Sequence, residues 1–115
     1  MNRVSLHKTH LYMFDLNKAM EMKKKMDEIQ ARLEAITVDG ESGDGKYKVT
    51  VTVTATRKVK NISISEELIQ SGDKEHLEDL VLIAIDRAME QAQQVADAET
   101  RSLAMTGGLG GLFGM

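Results

Sequence analysis

The chain has no cysteine. That excludes disulfide staples, thiolate nucleophiles and every zinc site built on cysteine, and it fits a reducing compartment. Aromatic residues are nearly as scarce: Tyr12, Phe14, Tyr47 and Phe113. The apolar material is therefore Val, Ile, Leu, Met and Ala. No apolar run approaches the roughly 18 residues that a bilayer-crossing helix needs. The opening MNRVSLHKTHLY lacks the apolar stretch of a secretion signal. The expectation is a soluble, cytoplasmic protein with no membrane partner.

Catalytic signatures are missing as well. There is no HExxH, no Gly-x-Ser-x-Gly and no dinucleotide fingerprint. His7 and His10 sit in the opening stretch, and His76 falls at the start of an acidic helix. His76, Glu75 and Glu78 read as a helix surface, not a metal site. The expectation is no enzyme, no small-molecule substrate, no cofactor and no metal.

What is present is segregated charge. The net charge is −3, yet residues 1–26 carry +4, residues 27–45 carry −5, residues 46–64 carry +5 and residues 65–115 carry −7. The overall acidity argues against whole-surface attraction to nucleic acid, but local basic islands still suit phosphate.

The 115 residues make one domain with a thin core. Residues 1–12 read as a flexible extension. Asp15 is placed to cap a helix over 16–37. On it, Ala19, Met22, Met26, Ile29, Leu33 and Ile36 repeat 3-4-3-4-3, a narrow seam that suits helix pairing. Residues 39–46, DGESGDGK, read as a turn region. Lys46 leads into Tyr47 and a strand, not into Ser or Thr and a helix, so this is no P-loop. A short strand near Val38 precedes it.

From Tyr47 to Ala55, apolar residues alternate with Lys48, Thr50, Thr52 and Thr54, the signature of a half-buried strand. Arg57 and Lys58 mark a reversal, and residues 59–64 return as a third strand. Ser65 and Asp73 are placed as helix caps. A long helix from Lys74 to about Leu103 carries two apolar faces, one through Leu77, Leu80, Ala84 and Ala88, another through Leu82, Ile85, Met89 and Ala96. Coverage that wide implies contact with the sheet and with a second subunit. Residues 105–115 read as a flexible glycine-rich tail.

Two stretches are recognisable. ITVDGESGDGKYKVTVTVTA at 36–55 and DKEHLEDLVLIAIDRA at 73–88 resemble the YbaB/EbfC family of bacterial nucleoid-associated proteins. Met13-Phe14-Asp15, the methionine-rich helix and the glycine-rich end are also similar, so the resemblance spans about residues 13–112. The chain departs from the family pattern in three places. Ser65-Glu66 stands where a proline is usual, Asp86 where asparagine is common, and Ala55 or Thr56 where a glycine is usual. The resemblance implies an α+β fold: an α-β-β-β-α subunit with a three-stranded antiparallel sheet and two long helices, in an intertwined homodimer with helical arms. It assigns residues 13–104 to the family's domain. It also implies binding of double-stranded DNA with little sequence preference, a place in the nucleoid, and roles in nucleoid organisation and gene regulation.

The residues that suit phosphate contact are Lys18, Lys23, Lys24 and Lys25 on the first helix, with Arg3 and Lys8 as further candidates. Lys48 and Lys58 belong to a second basic surface on the sheet. The bland alternative is that these lysines solvate a helix face and protect a sheet edge. The competing function is a dimeric protein-binding adaptor or chaperone without DNA affinity, supported by the acidic balance, the methionine-rich seam and the tail.

Overall fold

A computed structural model describes the backbone of residues 2–105 and the side chains of 15–103 and 105. The tail expected at 106–115 lies outside the described residues. The element order is α1 (Asn2–Glu34), β1 (Thr37–Asp44), β2 (Tyr47–Thr54), β3 (Val59–Ile64), α2 (Glu66–Gln70) and α3 (Lys74–Met105). The order is the expected α-β-β-β-α, with the last helical part split by a short α2.

Helix α1 starts well before the expected residue 16. Nothing between Asn2 and Glu34 is glycine or proline, so no residue there breaks the helix, and Asp15 lies inside it instead of capping it. At the other end the helix stops short of residue 37. Ala35 N–H bonds Arg32 O and Ile36 N–H bonds Leu33 O, which tightens the last turn. The β-branched Ile36 and Thr37 then enter the sheet.

The three strands form an antiparallel sheet in the order β1-β2-β3. Strand β1 is longer than expected and absorbs most of the glycine stretch. Gly40 pairs with Val51 and Ser42 with Val49, so DGESGD is ladder and only Gly45-Lys46 is turn. Gly45 has φ +58°, a conformation glycine adopts freely. Residues paired across strands share a face. Val38, Gly40 and Ser42 therefore look the same way as Val49, Val51 and Val53. Helix α3 lies on that face.

The core is built there. Val49, Val51, Val53, Ala84, Ala88 and Ala92 are fully buried, and Leu68 of α2 and Leu80 join them. Alanines spaced four apart on α3 keep the helix axis close to the sheet. The opposite face of the sheet is polar, with Thr52 Oγ1 donating to Asp39 Oδ1 at 2.6 Å.

Caps fall as the sequence indicates. Ser65 Oγ accepts from Leu68 N–H at the start of α2, and Asp73 Oδ1 accepts from His76 N–H at the start of α3. Ser65, standing where a proline is usual, also fastens the sheet: its N–H bonds Lys48 O and its Oγ accepts from Lys48 N–H.

The residue that bears positive φ after β2 is neither Ala55 nor Thr56 but Arg57, at φ +69°. Its guanidinium donates to Gln93 Oε1 at 3.0 Å and ties the turn to α3. A left-handed residue with a Cβ costs about 1–2 kcal/mol, so Arg57→Gly is expected to hold or raise stability by up to about 1 kcal/mol. Arg57→Val is expected to lower it by about 2 kcal/mol. Urea unfolding of the two variants checks both signs.

The Cα radius of gyration is 22.4 Å, against about 13 Å for a compact domain of this length. The excess comes from helices that run beyond the sheet. Arg32 Nε and Glu99 Oε2 are 2.9 Å apart, so α1 runs beside the C-terminal part of α3. On the seam, Leu33 is buried and Met22, Ile29 and Ile36 are half-buried, but Ala19 and Met26 are exposed.

Candidate nucleic-acid interface

The six lysines proposed from the sequence do not form one patch. At 3.6 residues per turn, Lys18 and Lys25 share a face of α1 beside the apolar seam. Lys23 borders the seam on its other side. Lys24 lies on the opposite face. On α1, Lys23 Nζ is 3.0 Å from Asp27 Oδ2, and Lys25 Nζ is 4.0 Å from Glu28 Oε2. Both pairs are exposed, so each holds its lysine weakly and a phosphate can displace the acid.

Lys48 and Lys58 stand at opposite ends of β2. Lys58 N–H bonds Thr54 Oγ1, and the six steps from Lys48 to Thr54 span about 20 Å at 3.3 Å per residue. Lys58 Nζ reaches Glu34 Oε1 at the end of α1, at 3.3 Å. It therefore belongs with the base of α1 and α3, not with Lys48.

One cation was overlooked. Arg32 continues the Lys18–Lys25 face at the same interval of seven residues, a spacing already legible in the sequence. Its partner Glu99 is only 26% exposed, so Arg32 is held more firmly than the lysines. Among the described residues no group of three or more His, Asp or Glu side chains is placed to hold a metal ion. No helix among them is long and apolar enough to cross a membrane.

The two sequence stretches that carry the family resemblance touch each other. A Cβ on Gly40 would lie 2.3 Å from both Ala84 O and Ala88 N. Arg87 Nη1 donates to Glu41 O at 2.8 Å, and Ser42 Oγ donates to Leu80 O. Gly40-Glu41-Ser42 thus clips β1 onto α3 at three successive residues. Gly43, at φ +92°, leaves no room for a Cβ against Tyr47 O. The motif packs β1 against α3.

The model of the YbaB/EbfC DNA-binding family matches residues 13–109. The chain belongs to that family. A nucleoid-associated protein of Chloroflexus aurantiacus is 42% identical over 95 residues, covering 83% of this chain and 91% of the relative. One from Beijerinckia indica is 38% identical over 94 residues, with 82% and 89% covered. One from Acetivibrio thermocellus is 35% identical over 100 residues, with 87% and 85% covered. Glycine and alanine are dense in the clip of this YbaB/EbfC chain because β1 and α3 approach there too closely for larger side chains. The lysines lie away from that clip, on α1 and at the two ends of β2.

A second feature of this YbaB/EbfC subunit is an uncovered apolar surface. Helix α3 sits over β1 and β2 and leaves the same face of β3 open. Val59 and Ile62 are 46% and 44% exposed there, and Leu82 on the flank of α3 is 62% exposed. Ile64, Leu77, Val81 and Leu82, with Glu78, line an apolar groove of about 460 Å³ between β3 and α3.

Proposed function

We propose that the chain acts as a homodimer that binds double-stranded DNA with little sequence preference, alters its conformation, and contributes to nucleoid organisation and gene regulation from the cytoplasm. Membership of a DNA-binding family carries the reading. Relatives named nucleoid-associated proteins support its place in the cell. The dimer is supported by the β3–α3 surface, whose apolar residues have no cover in one chain and favour a self-complementary contact.

Lys18, Lys23, Lys24 and Lys25 supply the main phosphate contacts in this reading, with Lys48 and Lys58 as secondary ones. Arg and Lys contacts to phosphate position a protein without reading bases. Few side chains on α1 suit base edges, which fits weak sequence preference. No enzymatic step enters.

The test is a gel-shift titration on unrelated duplexes across a range of salt. Each phosphate contact adds about 0.9 to the slope of log affinity against log salt. Lys18→Glu with Lys25→Glu is expected to weaken binding about tenfold or more and to flatten that slope. Absence of any shift at low salt would sink the DNA reading and favour a protein-binding adaptor.

A further inference from the structure

The face of α1 turned away from the seam has no cover among the described residues. Met20 is 62% exposed there, and a shallow groove of about 570 Å³ is lined by Met20, Lys23, Lys24, Asp27, Glu28 and Ala31. Its character is apolar ends around a charged middle. The order of charge is unusual for a lone helix. Bases precede acids, so the Lys23–Asp27 pair runs in the less favourable i, i+4 direction. Glu34 also lies in the last turn, where the macrodipole favours cations. The helix gains little from this arrangement by itself.

The arrangement is self-complementary. Turn a second copy of the helix end for end about an axis between Lys25 and Met26. Lys23 then meets Asp27 of the other copy on one flank, Lys24 meets its Glu28 on the other, and Met20 lies over its Ala31. The twofold axis repeats each pair, so four ion pairs lie between two large-on-small apolar contacts. We propose that this face of α1 pairs antiparallel with the same face on a second copy. The occupant is fixed by charge and size matching position by position.

This contact uses a different side of the subunit from the β3–α3 surface, and it goes beyond the homodimer proposed above. A chain with two separate self-complementary faces joins two neighbours and so extends into a row of copies. Lys23 and Lys24 cannot face carboxylates and phosphates at once. The α1 contact and DNA therefore compete for them.

The experiment is sedimentation of the full chain without DNA at about 0.01 M and about 1 M salt, where charges reach roughly 30 Å and 3 Å respectively. At low salt the mass is expected to rise to at least twice that of the base species, and at high salt the rise is expected to vanish. Lys23→Glu with Lys24→Glu should weaken this association at least tenfold. Adding Asp27→Lys and Glu28→Lys to that same chain exchanges every pair and should restore it. No rise for the wild-type chain, a rise that survives the lysine reversal, or no recovery on exchange overturns the proposal. If only the dimer reading fails, a monomer doubles through α1. If only this inference fails, a dimer persists without the rise.

Discussion

Gly40→Ala is expected to destabilise the fold by about 3 kcal/mol or more, among the largest effects of any single methyl group in a core. The added carbon meets Ala84 O and Ala88 N at 2.3 Å and Ala88 Cα at 2.8 Å. All three are backbone atoms of a helix, so no side chain can rotate away. Strand β1 has to lift from α3, and the lift strains the bonds from Ser42 to Leu80 O and from Arg87 to Glu41 O. Gly45→Ala is the control. Nothing lies within 4 Å of its Cβ, and only its φ of +58° is unfavourable, a cost of about 1–2 kcal/mol. Denaturant unfolding should rank Gly40→Ala clearly below Gly45→Ala. Equal stabilities would remove the close approach of β1 to α3 as the organising contact.

If the proposed homodimer closes through β3 and α3, Leu82→Glu with Ile62→Glu is expected to leave a folded monomer at high salt. Both residues are exposed in the single chain, so the subunit loses little by accepting carboxylates there. In a dimer closed through β3 and α3, the same two changes bring four charges into an apolar contact, a cost of several kcal/mol per uncompensated ion. Light scattering should report halved mass, and circular dichroism should report unchanged helix content. A variant that keeps the mass of the wild-type assembly would show that another surface holds the subunits together.

The parts of the fold that were legible in the sequence are those with local causes. Alternation of valine and threonine marks β2, and Ser65 and Asp73 cap the helices their positions suggest. Strand β1 was misread as a turn because glycine is ordinarily a breaker of strands. Here Gly40 is in the strand for a reason more than forty residues away, the backbone of Ala84 and Ala88. The start of α1 was misplaced because Asp15 is a good cap that the chain does not use. The distribution of the lysines around α1 follows only once helix register is applied. The meeting of Lys58 with Glu34 depends on how α1 docks at the end of the sheet, which no local pattern encodes. Arg57 illustrates the same limit: its bond to Gln93 joins the turn to a distant helix.

Helix α3 is one unbroken rod of 32 residues, gripped near Ala84 and Ala88. From that grip to Met105 it extends about 30 Å at 1.5 Å per residue. A tilt of about 10° at the grip swings the far end by roughly 5 Å over that length. The alanines against Gly40 thus work as a fulcrum. Side-chain volume at a few core positions, remote from every lysine, is what calibrates how far apart the outer ends of the molecule stand.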